Sequence, residues 1–307
     1  MADEDSSAGF GAYGDFWIRY LNWGVRHCPW TVEPILVTFY AGLFFVGAKS
    51  FREGIAANIR VLFPNGSRIG LAWKVYRVFW NFAAVAVDGV RAREEPGIIE
   101  WEIDGIEAFE QMKQCESGVI LITAHMGNYD LAGSVFAQRF DRIMHAVRAP
   151  ERNPELQAVR NAELKAQQDE HYRIVYNEPG NMLAITLAQA LQRQEAVAIQ
   201  ADRILFDVAP MTMEWDDQHT IDVPQGPFIL SLTTGCPIYP LFMIRLGRCR
   251  YRVEFGCAFH CERTGRDKQA DLKRAAKVWV NHLREIVKRH WSQWLVVEQN
   301  LRPESRS

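Results

Sequence analysis

The run Gly118-Val-Ile-Leu-Ile-Thr-Ala-His125-Met-Gly-Asn-Tyr-Asp130 carries an apolar, β-branched stretch straight into a histidine, with an aspartate five residues further on. A buried strand ending here sets His125 on a loop and puts Asp130 in the first turn of the next helix. That pairing is the makings of a general base. A carboxylate on one ring nitrogen fixes the tautomer and favours the imidazolium that forms as the other nitrogen takes a proton.

What must position these residues is legible in the rest of the chain. After a polar link at Arg91-Ala-Arg-Glu-Glu-Pro-Gly97, short apolar runs alternate with helix-length segments. The pattern predicts strands at 119–124, 143–147, 172–176, 196–201 and 238–244. Helices are expected at 128–139, 154–170, 181–194, 227–234 and 271–290. This is the rhythm of an α/β fold with a largely parallel central sheet flanked by helices. From Cys249 to Phe259 the chain alternates, with Tyr251, Val253, Phe255, Cys257 and Phe259 expected on a buried face and Arg250, Arg252 and Glu254 on a wet one. Before the link the chain reads as helical. Two units are therefore expected, an N-terminal helical segment at 1–95 and an α/β domain at 96–307.

In an open α/β sheet, ligands sit beyond the carboxyl ends of the strands. The residues just past the predicted strands are His125, Arg148, Asn177-Glu178 and Asp202-Arg203. A base, carboxylates and cations should therefore gather at one edge. No G-x-S-x-G elbow, P-loop or H-E-x-x-H occurs, so no protein nucleophile, nucleotide cradle or zinc is indicated. Cys249, Cys257, His260 and Cys261 lack paired C-x-x-C spacing and read as ordinary thiols rather than a metal site. Without a nucleophile, the simplest chemistry is direct attack by a substrate hydroxyl or amine that His125 deprotonates.

A formal net charge of -2 argues against nucleic acid as a partner. Six scattered cysteines and an acidic N-terminus without a basic n-region point to a cytoplasmic catalytic part. Pro34 to Ala48 is strongly apolar but shorter than the roughly 20 residues a spanning helix needs. Upstream, Phe16, Trp17, Tyr20, Trp23 and Trp30 mix with Arg19 and Arg26, which suits a headgroup interface. A membrane-proximal segment lying on the surface is expected; a buried core helix and a tilted span are the alternatives.

His125-Met-Gly-Asn-Tyr-Asp130 resembles the H-x-x-x-x-[DE] signature of the lysophospholipid acyltransferase superfamily, and the chain resembles its bacterial late lipid A (lauroyl/myristoyl) branch over nearly its whole length. Arg52…Asn58…Phe63-Pro64, Val147-Arg148-Ala149 with Asn153-Pro154, Gln200-Ala-Asp202-Arg203, and Pro224-Gln-Gly-Pro227 with Thr234-Gly-Cys-Pro237 carry the likeness in the same order. The resemblance implies transfer of a fatty acyl chain from acyl-carrier protein or acyl-coenzyme A to a lipid or glycolipid, with no cofactor. It implies His125 as base and Asp130 as its orienting carboxylate. Arg148, Asp202 and Arg203 would bind substrate or steady the site, and the Met126-Gly127-Asn128 backbone would help Arg148 stabilise the oxyanion. It also implies the cytoplasmic face of the bacterial inner membrane. A thioesterase or lipid hydrolase using the same dyad, and a non-catalytic lipid-binding protein, are the competing functions.

Overall fold

A computed structural model describes residues 15–304 apart from 96, 130, 132–139, 141, 151–156, 158–170, 179–181, 206 and 207; side chains are described from residue 20 onward. The expected helices at 128–139 and 154–170 fall largely outside the described residues, as does Asp130.

The chain opens with helices α1 (Asp15–His27), α2 (Glu33–Gly47), α3 (Lys49–Leu62) and α4 (Arg68–Glu94). Ser67 starts α4 by accepting the Gly70 N–H on its hydroxyl. Along α4, Val75, Val78, Phe79, Ala84, Val87 and Val90 are buried against α1, α2 and α3, as their three- and four-residue spacing requires. No single described helix is long and apolar enough to cross a membrane. Only α2 and α3 together meet the length and composition, and they bend by 95° at their junction. Arg52 secures that bend by donating to the Phe45 and Val46 carbonyls at the end of α2.

A seven-stranded sheet follows, in the order β1 (Glu100–Asp104), β9 (Arg250–Phe255), β8 (Ile238–Gly247), β2 (Val119–Thr123), β5 (Ala196–Gln200), β3 (Met144–Arg148), β4 (Tyr172–Tyr176). From β8 to β4 every pair is parallel, whereas β9 runs antiparallel to β8 and parallel to β1. A largely parallel sheet is what the continuous apolar runs predict, because both of its faces are covered. On one face lie α6 (Leu183–Gln192), α7 (Gly226–Thr234) and α8 (Lys268–His290), and on the other α5 (Ile106–Gln114). A second sheet, β10 (Leu301–Pro303), β7 (His219–Pro224) and β6 (Pro210–Asp216), is wholly antiparallel. Its buried Trp215 joins the core that Trp279 of α8 fills.

The expected strand from Cys249 to Phe259 is corrected at its end. The strand stops at Phe255, Gly256 follows, and Cys257 is exposed rather than on the buried face. Glu254, expected on the wet face, is buried because Arg289 at the end of α8 reaches it at 2.8 Å. Among the described residues no three His, Cys, Asp or Glu side chains gather as a metal cluster.

Asp88 couples the helical part to the sheet. It is fully buried in α4 and accepts Arg245 Nε at 2.7 Å, the Tyr251 hydroxyl at 2.7 Å and the Cys249 N–H at 3.2 Å. A desolvated carboxylate persists only when paired and fully hydrogen-bonded, as here. Burial, aided by this negative neighbour, pushes the Cys249 thiol up to about 12 and keeps it protonated.

Candidate active site

The register of two neighbouring strands builds the site. In β2 and β5, Thr123 lies opposite Gln200, so His125 and Asp202 each stand two residues beyond a paired position. Parallel strands deliver both to the same carboxyl edge, although 77 residues separate them. His125 Nδ1 lies 2.7 Å from Asp202 Oδ1, and the His125 backbone N–H donates to Oδ2 at 2.9 Å. Trp294 Nε1 donates to the same Oδ2, also at 2.9 Å. Behind the carboxylate, Ala201 is pinned by Trp279 Nε1 at 2.8 Å, and the Asp202 carbonyl accepts the Asn300 side-chain amide.

Burial raises the Asp202 carboxyl, but the His125 charge and the hydrogen bonds from His125 and Trp294 outweigh it and hold the group below its usual value. An ionised carboxylate only accepts, so Nδ1 faces it with a proton, and in the neutral ring Nε2 is the nitrogen that bears the lone pair. His125 is nearly buried yet lines a cavity of about 910 Å3. The Tyr129 ring meets its imidazole edge-on, with centroids 5.1 Å apart. A histidine so arranged can take a proton from a group in the cavity and return it.

The cavity gathers what the strand ends promised. His125 after β2, Arg148 at the end of β3, Asn177 after β4 and Arg203 after β5 all line it. Glu178 is exposed and does not. Arg203 Nη1 pairs with Glu298 at 2.7 Å, while its Nε is buried without a partner among the described residues. Much of the remaining lining is apolar, with Leu183, Leu187 and Ala188 of α6, Ile229 and Leu230 of α7, and Phe140. A cavity of this size, largely apolar with a few polar groups, is the usual form of a small-molecule site.

Asp202 and Asn128 do not line this cavity. Asp202 is completely buried and faces His125. Asn128 donates to the Val85 carbonyl of α4 at 3.2 Å and accepts the Leu131 N–H, which fixes the loop's exit. Gly127 has φ +51°, and a Cβ there would strike the Met243 carbonyl, so only glycine fits. Of the three expected oxyanion donors, Met126 N–H already bonds Ala124 O and Gly127 N–H bonds Gln293 O. The Asn128 N–H alone is without a partner among the described residues.

Residues after α8 carry a role that sequence reasoning did not assign. Gln293 clasps the Arg245 backbone through both ends of its amide, at 2.7 and 3.0 Å, and Leu295 N–H donates to the His125 carbonyl at 2.7 Å. The far end of this strap is fastened by Asn58 of α3. Asn58 Nδ2 donates to Glu298 O, and its Oδ1 accepts the N–H groups of Asn300 and Leu301. One turn earlier, Gly54 lets α3 approach the Val297 carbonyl. Gly54 and Asn58 thus bind α3 to the strap beside the site.

No curated protein matches the chain. A family profile does match, described as bacterial lipid A biosynthesis acyltransferase, over residues 10–302. Since that match takes in the helical segment, both sheets and the whole site, the chain belongs to the bacterial lipid A biosynthesis acyltransferase family.

Proposed function

We propose that this member of an acyltransferase family moves a fatty acyl chain from an acyl-carrier-protein or coenzyme A thioester to a hydroxyl or amine of a lipid or glycolipid, with His125 as general base. The observation that carries this reading is the His125–Asp202 pair, whose histidine lines a large cavity walled mostly by apolar residues with a few polar ones among them.

In the reaction so drawn, Nε2 removes the proton of the acceptor O–H or N–H as that atom attacks the thioester carbonyl. A tetrahedral oxyanion forms, and the Arg148 guanidinium, which lines the cavity, is its donor in this scheme. Each such donor is worth about 3 kcal/mol where measured in other enzymes. The carbon–sulfur bond then breaks, and the thiolate takes the proton back from the imidazolium. No bond to the protein forms. Asp202 holds the protonated ring, Arg203 Nε is left to meet a polar part of the substrate, and the apolar lining from α6 and α7 takes the acyl chain. Asp130, expected from the sequence as the orienting carboxylate, lies outside the described residues, and Asp130→Asn beside Asp202→Asn tests whether a second carboxylate also acts on the base.

The same reading puts the site at a membrane surface. On α2, Ile35, Phe39 and Val46 are 67%, 65% and 74% exposed on a helix that is apolar all round. Trp23, Trp30 and Trp73 are also largely exposed. An apolar helical face with aromatic neighbours suits the headgroup boundary, at the cytoplasmic side of the bacterial inner membrane. Sedimentation with phospholipid vesicles checks this: Phe39→Asp should release the protein, and unchanged binding would count against surface contact through α2.

Incubating the protein with acyl thioester, with and without bacterial membrane lipid, tests the activity. Transfer predicts thiol release that depends on lipid and an acylated lipid product. Release at full rate without lipid would make the protein a thioesterase.

A further inference from the structure

The strap after α8 makes no contact with a reacting atom in the scheme above, yet one of its side chains reaches the buried half of the dyad. Trp294 is 4% exposed, and its backbone forms an isolated antiparallel bridge with Met126, the residue after the base. Its indole Nε1 lies 2.9 Å from Asp202 Oδ2, while Oδ1 of the same carboxylate faces His125 Nδ1. The imidazole therefore holds one oxygen of this desolvated group, and the indole shares the other with the His125 backbone N–H, also at 2.9 Å.

We propose that Trp294 is a positioning residue for acyl transfer: its indole N–H fixes the plane of the Asp202 carboxylate and tempers the negative charge that carboxylate presents to His125. The inference rests on His125 being the base. The physical reason is twofold. The terminal torsion of an aspartate is soft, so a carboxylate with one oxygen less well held can turn away from its partner. A buried carboxylate with fewer donors also concentrates charge on the remaining contact, and so holds the protonated imidazole more strongly. Of the charged groups near this sheet edge, Arg203 and Glu298 pair with each other, Arg148 stands at the end of β3, and Asp130 lies outside the described residues. Trp294 is the indole among Asp202's partners.

The packing of this indole permits a clean separation of donor from bulk. Trp294 lies parallel to Trp215 in an offset stack, with centroids 6.3 Å apart and planes 3° apart. Trp294→Phe keeps an aromatic ring in the stack and removes the N–H. Trp215→Phe disturbs the same stack and leaves the N–H in place.

The experiment compares wild type, Trp294→Phe, Trp215→Phe and His125→Ala as full-length proteins. It measures kcat and KM from pH 5 to 9 with acyl-coenzyme A thioesters of lauroyl to palmitoyl length and bacterial membrane lipid, alongside circular dichroism. Trp294→Phe is expected to lower kcat roughly 10- to 100-fold with KM unchanged, the range seen when a partner that orients a functional histidine is lost. The acid limb of its kcat/KM profile should move up by about 0.5 pH unit. Trp215→Phe should keep both the wild-type kcat and the wild-type limb. A Trp294→Phe profile identical to wild type, or an equal displacement in Trp215→Phe, overturns the proposal. Full activity in His125→Ala, or no transfer by wild type with any of these thioesters, overturns instead the functional reading beneath it.

Discussion

Replacing Asn58 by alanine should damage both stability and catalysis, although Asn58 touches neither His125 nor the cavity. The substitution strands three backbone groups at once: the Glu298 carbonyl (2.8 Å from Nδ2) and the Asn300 and Leu301 N–H groups (2.9 and 3.0 Å from Oδ1). Asn58, Asn300 and Leu301 are all buried. Each orphaned buried group costs about 1–3 kcal/mol. The exposed flank at Arg302 admits water, so the low end applies, and the sum is about 3 kcal/mol. For a chain of 307 residues that lowers the melting midpoint by roughly 5 °C. Asn81→Ala is the calibrating comparison. Its side chain gives the strap one bond, to Ser292 O at 2.9 Å, so it should cost only about 1 kcal/mol. Loosening the strap also frees the His125 carbonyl from Leu295, and misplacement of a reacting group by about 1 Å costs on the order of 100-fold in rate. Differential scanning calorimetry and the thioester assay read the two effects. An Asn58→Ala protein that melts with wild type and turns over at the wild-type rate would refute the idea that this residue anchors the site.

Other substitutions probe other links. Gly127→Ala should abolish transfer and destabilise the protein by more than about 2 kcal/mol, since φ +51° and the Met243 carbonyl both oppose a Cβ; urea titration and turnover check it. Asp202 has a folded-state value below its unfolded one, so on acidification the unfolded chain binds the proton first. Its contribution to stability is complete above about pH 4 and is lost as pH falls through the folded value. The gap in urea midpoint between wild type and Asp202→Asn should therefore narrow from pH 6 to pH 3, and a gap that stays constant would contradict the assignment. Ala188→Phe narrows the cavity at its apolar lining and should shift preference toward shorter acyl chains, read by mass spectrometry of lipid products from mixed thioesters.

The parts of the fold legible in sequence are those whose physics is local. β2, β5 and β8 announce themselves as short apolar runs, because a parallel strand inside the sheet leaves little choice of residue, and β3 and the edge strand β4 keep part of that pattern. β1, with the sequence EWEID and every second side chain exposed, sits at a sheet edge and resembles the polar link before it. The hairpin of β6 and β7 reads as an acidic loop because its solvent face carries Thr212, Glu214 and Asp222 while Met211, Met213 and Trp215 turn inward.

At the site, His125, Arg148 and Arg203 could be found by reading strand ends, and they do meet at one cavity. The carboxylate on Nδ1 was harder. Asp130 is five residues from the histidine and has the obvious spacing, whereas Asp202 becomes a neighbour only through the pairing of β2 with β5. Asn58, Gln293, Trp294 and Asn300 leave no periodic or motif-like trace of what they hold. Their partners are chosen by the path of the chain after α8, which no local pattern encodes.

The central claim is that His125 Nε2 removes the acceptor's proton while Asp202 holds Nδ1. Its most direct test is the single-turnover rate of acyl transfer in His125→Ala and Asp202→Asn, each shown to be folded. Loss of transfer in the first, and a fall of roughly 1,000- to 10,000-fold in the second, is the predicted result, the scale on which an orienting carboxylate matters to a catalytic histidine. Transfer by His125→Ala within a few-fold of wild type would contradict it.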